Sequence, residues 1–331
     1  MTPAPATEVS ERRSARSDRS FRRNPAERPA PTILVTGCSS GIGRATARAF
    51  LDEGWIVYAT ARDPNDLRDL EAAGAAIDRL DVTSTEDADR VVERIVAERG
   101  RLDCLVNNAG FSQMGPIEDV PIADVREQYE VNVFGPHRLI RAALPHMRER
   151  GSGRIVNVTS ITDRFPIAGT GVYSGSKAAL AATSQALRQE VRDSGIDVVV
   201  VEPTVVATRH YDRTREELVD VDHGAAYTDL YELHELLHTI KSGGPGIASP
   251  ETVAETILEA ATSERPKRRY SVGWTAKVGA AVAAAVPDSW RTPLLYTGVR
   301  AATSEPGKRL LRWWFARNHR ADAVDDRRGS R

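Results

Sequence analysis

Residues 32–50 read TILVTGCSSGIGRATARAF. Thr32 to Thr36 is a short apolar run of the kind that forms a strand buried on both faces of a parallel sheet. It passes directly into Gly37-Cys38-Ser39-Ser40-Gly41-Ile42-Gly43 and then into a helix-like segment from Arg44 to Glu53. Strand, glycine-rich turn and helix in that order form the setting in which glycines accept a dinucleotide pyrophosphate. Gly37 permits the tight turn, Gly41 lets the backbone approach the phosphates, and Gly43 lets the helix pack closely on the sheet. The helix N-terminus adds unpaired N–H groups and a partial positive charge facing the anion.

Outward from this stretch, the same unit repeats. Trp55 to Thr60 reads as the next strand and Pro64 to Ala73 as a helix; Ala76 to Leu80 is a strand that ends at Asp81-Val82. Thr83 to Arg99 is an amphipathic helix with Val91, Val92, Ile95 and Val96 on its apolar side. Leu102 to Val106 is a strand ending in Asn107-Asn108-Ala109-Gly110, and a long helical segment runs from Ile122 to Met147. Gly135-Pro136 interrupts that segment just after Asn132; because proline removes a helix hydrogen bond, an irregularity is expected there. Arg154 to Thr159 is a strand, Gly171 to Ser194 a helix, and Ile196 to Glu202 a sixth strand. Apolar strands alternating with helices over short connections predict the α/β class, with a doubly wound parallel sheet covered by helices on both faces.

The end of the second strand bears on nucleotide choice. A site selective for NAD places an acid there for the ribose hydroxyls, whereas an arginine suits a 2′-phosphate. The chain reads Ala59-Thr60-Ala61-Arg62 with no acid before Arg62. Asp63 follows and is expected to cap the helix starting near Pro64. NADP is favoured over NAD.

Ser160 to Lys177, SITDRFPIAGTGVYSGSK, holds a serine, a tyrosine thirteen residues later and a lysine four residues beyond that. With Tyr173 in a helix, Lys177 lies one turn further along the same face. An ammonium beside a phenol favours the phenolate. Two or three pKa units taken from a phenol near 10 would bring it into range for acid–base work. In a chain with eight tyrosines, that spacing alone is also compatible with an ordinary helix.

Beyond Pro203 the pattern changes. Residues 203–249 read as a lid over substrate, containing Tyr211, His223, Tyr227, Tyr231, His234 and His238 among many acids. His234 and His238 lack the companion residues of a metal site, so no metal is expected. Glu251 to Ser263 reads as a helix, Arg269 to Val272 as a short strand and Lys277 to Val286 as an alanine-rich helix. Leu310, Leu311, Trp313, Trp314 and Phe315 follow among Lys308, Arg309, Arg312 and Arg317. Such a basic–aromatic segment suits weak association with a membrane surface, or docking on the protein body or a second subunit. The domain limits expected are a disordered tail over residues 1–29, a dinucleotide-binding domain over 30–275 that includes the lid, and a helical extension over 276–331 with a disordered end.

Bulk properties exclude several classes. The 331 residues carry 45 basic and 46 acidic side chains, so nothing points to nucleic acid. A hydrophobic content of 41% and a charged content of 27% suit a water-soluble globular chain. Cys38 and Cys104 fit reduced thiols in buried strands. With neither a secretory apolar core nor an apolar run long enough to span a membrane, a cytoplasmic location is expected.

Taken together, Thr36-Gly37-x-x-x-Gly41-Ile42-Gly43, Asp81-Val82, Asn107-Asn108-Ala109-Gly110, Asn132, Ser160 and Tyr173-x-x-x-Lys177 resemble the short-chain dehydrogenase/reductases over about residues 32–275. Tyr58-Ala59-Thr60-Ala61-Arg62 and Arg268-Arg269-Tyr270-Ser271-Val272-Gly273 look like the NADP-using hydroxysteroid and retinol dehydrogenase branch. The resemblance implies a Rossmann-like fold and hydride exchange between a nicotinamide and the carbon of an alcohol or carbonyl. Tyr173 would be the acid/base and Lys177 would lower its pKa and bond the nicotinamide ribose. Ser160 would hold the substrate oxygen, and Asn132 would support a water-linked proton relay to Lys177. Cofactor contacts would come from Gly37, Ser39, Ser40, Gly41, Ile42, Gly43, Arg62, Asp81, Val82, Asn108, Ala109, Gly110, Tyr173, Lys177, Pro203, Val206 and Thr208. A homo-oligomer through the helices near 122–147 and 172–194 is also implied. The substrate expected is a lipophilic small molecule of steroid, retinoid or long-chain type. The alternatives are a 3-oxoacyl reductase and a non-catalytic dinucleotide-binding sensor or scaffold. One departure stands out: the family places Pro-Gly after the sixth strand, and this chain has Pro203-Thr204. A β-branched residue does not readily take positive φ, so a differently shaped loop is expected beside the nicotinamide.

Overall fold

The computed structural model describes residues 29–206, 225–232, 247–310 and 313. The expected tail up to residue 28, Thr208, most of the expected lid with Tyr211 and its histidines, and the end beyond 313 lie outside the described residues.

Seven parallel strands form one sheet in the order β3-β2-β1-β4-β5-β6-β7. They are β1 (Thr32–Thr36), β2 (Ile56–Ala61), β3 (Ala76–Arg79), β4 (Cys104–Asn107), β5 (Gly153–Val158), β6 (Ile196–Pro203) and β7 (Arg269–Val272). The order reverses between β1 and β4, where successive connections leave in opposite directions. That opens a crevice beyond their carboxyl ends. β1 pairs Leu34 with Tyr58 on one side and with Leu105 on the other, so it lies inside the sheet, beside the central β4.

Neighbouring residues of each strand feed opposite cores, as the two-residue period of a strand requires. Ile33 and Val35 pack with Phe50 of α1 (Gly41–Asp52) and with Val253 and Ile257 of α7 (Pro250–Thr262). Leu34, between them, faces Val91 and Ile95 of α3 (Thr85–Arg99) and Leu139 of α5 (Gly135–Arg150). Both cysteines are free and fully buried, and burial pushes each thiol up to about 12.

Caps and breakers explain the element ends. Asp63 accepts the Asn65 N–H at 2.9 Å and opens a short 3-10 turn over Pro64–Leu67, which leads into α2 (Arg68–Ala72). Ser84 accepts the Asp87 N–H at 3.0 Å, and α3 stops at Gly100, whose φ of +67° is left-handed. The expected irregularity near Asn132 is a π turn over Glu130–Phe134, between α4 (Ile122–Tyr129) and α5. Gly135 donates to the carbonyl of Glu130 five residues back. Pro136 falls in the first turn of α5, where its missing donor costs least.

Two differences lie beyond β7. The helix α8 (Trp274–Ala285) starts a turn earlier than its alanine run suggests, because Gly273 turns the chain at φ +88°. A further helix, α9 (Asp288–Thr303), lies within the helical extension expected over 276–331, where the sequence delimits no individual helix after Val286. Pro293 lies inside it, and Trp290, Leu294 and Tyr296 are exposed, so the helical signal is broken and weak.

Candidate active site

A cavity of about 800 Å³ opens over the carboxyl ends of the central strands. At one end lies the turn between β1 and α1. Gly37 and Gly41 take φ of +71° and +54°, which only glycine adopts without strain. The first turn of α1 holds no acidic side chain, and Ser40 makes no side-chain cap bond. The helix therefore presents its amides and positive end to the cavity. A Cβ on Gly43 would lie 2.2 Å from the Gly37 carbonyl oxygen, so close packing demands a glycine there.

The turn is bracketed from β4. The Asn108 side-chain amide donates to the carbonyls of Thr36 (2.9 Å) and Gly37 (3.3 Å), and Thr36 Oγ1 accepts the N–H groups of Asn108 and Ala109. Asn108, implied by resemblance to be a cofactor contact, thus also holds the glycine turn in shape. Arg62, at the end of β2, and Asp81 and Val82, after β3, line the same end of the cavity. Asp63 is absent from its lining and serves as the cap described above.

Across the cavity stand Ser160, Tyr173 and Lys177. Ser160 follows β5 and caps a short 3-10 turn over Ile161–Asp163, its Oγ accepting the Thr162 N–H at 3.3 Å. Tyr173 and Lys177 occupy the first two turns of α6 (Gly171–Glu190). The Lys177 ammonium lies 5.9 Å from the centre of the tyrosine ring and donates to the Val158 carbonyl at 3.0 Å. Burial dominates both groups. It pushes the Tyr173 phenol up to about 12, with a hydrogen bond to Ser160 pulling down and the Asp163 charge pushing up. It brings the Lys177 ammonium down to about 8, against the Asp163 charge. The lysine-driven lowering of the phenol implied by resemblance is not among these influences, of which burial is the largest.

Of the remaining expected residues, Ser39, Ile42, Ala109, Gly110, Pro203 and Val206 line the cavity; Gly43 and Asn132 do not. Asn132 is fully buried, its amide bonded to the Phe111 backbone through both ends and to Ser176 Oγ at 3.1 Å. Gly110 lies between it and the lysine: a Cβ there would be 2.9 Å from Asn132 Oδ1 and 3.4 Å from Lys177 Nζ. Thr204, in the place of the family glycine, donates its N–H to Val272 and shares a 2.7 Å hydroxyl contact with Thr275. Its methyl would clash with a Cβ on Gly273 at 2.8 Å, so the glycine needed by this corner stands on the neighbouring strand's exit.

Sequence reasoning passed over Phe111, Glu127, Glu130 and Val131, which also line the cavity. Glu127, Glu130 and Val131 sit where α4 runs into the π turn, and no motif announces them. It also passed over a buried ionic cluster behind Ser160. The side chains of Asp163 and Glu202 are wholly buried. Arg164 bonds Glu202 through two nitrogens, Arg269 bridges Glu202 and Asp163, and Ser271 donates to Glu202 at 3.0 Å. Burial and the Glu202 charge push Asp163 up to about 6. Burial also works against the charge on Glu202, but Arg164 and Arg269 hold its carboxyl below the usual range. These residues lie far apart in sequence, and only the adjacency of β5, β6 and β7 brings them together.

Residues 31–218 match the family model described as short chain dehydrogenase. The chain belongs to that family. This short-chain dehydrogenase is thus an oxidoreductase, and its relatives carry such names. It is 35% identical over 247 residues to the uncharacterised oxidoreductase YbbO of Escherichia coli, covering 73% of this chain and 85% of that protein. It is 33% identical over 242 residues to 3-ketodihydrosphingosine reductase of Bacteroides thetaiotaomicron, covering 73% and 87%. Among solved structures, a short-chain dehydrogenase from Streptomyces avermitilis superposes with a TM-score of 0.69 at 37% identity, covering 84% of this chain and 99% of the other. The closed form of serine dehydrogenase complexed with NADP+ superposes with a TM-score of 0.63 at 27% identity, covering 73% and 94%.

Proposed function

We propose that this short-chain dehydrogenase is an NADP(H)-dependent enzyme that interconverts an alcohol and a carbonyl on a lipophilic substrate. The observation that carries the reading is one cavity with a glycine-built anion cradle at one end and Ser160, Tyr173 and Lys177 at the other. The cradle fits a pyrophosphate, because α1 offers an uncapped, acid-free N-terminus to it. Arg62 at the adenosine end suits a 2′-phosphate, and Asp63, the acid that follows it in sequence, is engaged in a cap. The bound cofactor supplies hydride exchange at the substrate carbon.

The chain's own groups handle the oxygen and the proton. Ser160, which lines the same cavity as the phenol and pulls its pKa down, orients the substrate oxygen toward Tyr173. At neutral pH the phenol holds its proton and stands ready to donate it as a carbonyl becomes an alkoxide, so the protonation state suits reduction. Lys177 keeps a positive charge beside the developing phenolate and steadies it. Similarity to a 3-ketodihydrosphingosine reductase supports a long-chain carbonyl. The reading extends to a homo-oligomer through α4–α5 and α6, where Phe134 is half-exposed, and to weak contact of the C-terminal helices with a membrane surface.

The test is NADPH oxidation by the purified protein over long-chain ketones, steroids and retinoids, with NADH alongside. Tyr173→Phe is expected to cut turnover at least about 100-fold while NADPH still binds, as followed by its fluorescence. A Tyr173→Phe variant with unchanged turnover, or a wild-type protein inert across the panel, would sink the catalytic reading.

A further inference from the structure

A second cavity, of about 490 Å³, lies between α9 and the loop that joins Ser160 to Tyr173. We propose that it holds the hydrocarbon tail of the substrate whose reacting oxygen sits at Ser160 and Tyr173. This rests on the reading of the protein as a reductase or dehydrogenase of lipophilic substrates. Its apolar walls are Pro166 and Ala168 of that loop, Leu230 of the described piece 225–232, and Leu295 and Val299 of α9.

Three observations point to this occupant. The first is position. Ala168 is five residues from Tyr173, so the two cannot lie more than about 18 Å apart, within reach of a long alkyl chain. The same loop therefore touches the acid/base at one end and this cavity at the other. The second is that the walls are tied to one another and to the active-site rim. Gly115 donates to the Gly169 carbonyl at 2.8 Å, Arg291 of α9 donates to the Arg164 carbonyl at 3.2 Å, and the hydroxyls of Tyr227 and Tyr231 bond Glu118 and Asp119. Residues 111–120, which begin at Phe111 in the catalytic cavity, thus join the enclosure.

The third is chemical. Thr292, Leu295, Tyr296, Val299 and Arg300 recur at three- and four-residue spacing and turn one face of α9 to the cavity. Trp290 and Leu294, 73% and 59% exposed, point elsewhere. Several polar members of the lining are engaged: Arg300 donates to the Tyr296 hydroxyl at 3.2 Å and feels the charge of Asp229, Tyr227 bonds Glu118, and Thr303 donates to the Arg300 carbonyl. The apolar members, Pro166, Ala168, Leu230, Leu295 and Val299, offer a surface that suits an uncharged hydrocarbon.

The experiment compares kcat/KM for NADPH-dependent reduction of methyl propyl ketone and methyl undecyl ketone. The wild-type protein is expected to prefer the longer ketone. Val299→Trp, which intrudes into the cavity from the α9 wall, should lower that preference tenfold or more, since burial of one methylene is worth about fourfold. Leu295→Trp, one turn earlier on the same face, repeats the test should the first variant not fold. A preference unchanged in the folded variants, or a fall shared equally by both ketones, overturns the tail site and leaves the proposed activity standing. A wild-type protein that reduces neither ketone overturns the tail site; only one inert toward the steroids and retinoids as well overturns the proposed activity.

Discussion

Lys177 holds its charge at a place that works against it. It is 6% exposed, and burial brings it down to about 8 from an ordinary 10.5. A lysine lowered in the fold is penalised while it is charged. Its full cost is felt below pH 8, and the folded state regains stability as pH rises from there toward the unfolded value. Denaturant unfolding of wild type and Lys177→Met across pH should therefore show wild type gaining about 3 kcal/mol on the variant between pH 7 and pH 11. A constant difference would mean that Lys177 does not titrate in this window. Tyr173 is the opposite case, a phenol that burial keeps protonated. The pair thus stands as a neutral acid beside a cation at neutral pH. In alcohol oxidation, rates should rise with pH until Lys177 loses its charge near 8, as a kcat/KM profile would reveal.

The turn that follows β5 carries Ser160 and is clamped to β6 and β7 through Glu202. The two carboxylates there are unequal. Glu202 has both guanidiniums, so it is held ionised, whereas Asp163 is pushed up to about 6 by burial and by the Glu202 charge. Removing the Glu202 charge leaves Arg164 and Arg269 without their main partner, and a broken buried pair costs about 3–5 kcal/mol. Since Arg164 and Arg269 are partly exposed, Glu202→Gln should fall at or below the low end of that range. Asp163→Asn should cost less at pH 7 than at pH 4. A raised carboxyl weakens the fold as pH climbs through its folded value, and the amide is spared that loss. Thermal unfolding at the two pH values checks both. Equal losses for the two variants would refute the asymmetry.

Beyond the sheet, α8 and α9 leave Trp274, Trp290, Leu294 and Tyr296 exposed, with Leu310 and Trp313 following. Among the described residues no helix is long and apolar enough to cross a membrane. The proposed surface contact is therefore interfacial, aromatic side chains entering the headgroup layer. The intact protein should sediment in part with vesicles containing anionic lipid, and Trp290→Ser together with Trp313→Ser should lower the bound fraction several-fold. Full recovery in the supernatant at low salt would rule the contact out. Light scattering on the same material reads the oligomeric state.

The strand–glycine turn–helix at 32–50 and the order of motifs after it were legible because each depends on neighbours in sequence. Buried strands need apolar runs, a left-handed turn needs glycine, and a residue and the one four beyond it share a helix face. Ser160, Tyr173 and Lys177 meet at one cavity for that reason, since the sheet order follows from the alternation. Three other features had no local signature. The fate of Thr204 was decided by Thr275 and Gly273, some seventy residues away and packed against it. The Asp163–Glu202–Arg269 cluster exists because β5, β6 and β7 are adjacent. The phenol's pKa is raised rather than lowered because burial acts through everything packed around it, while sequence spacing reports only the lysine one turn away.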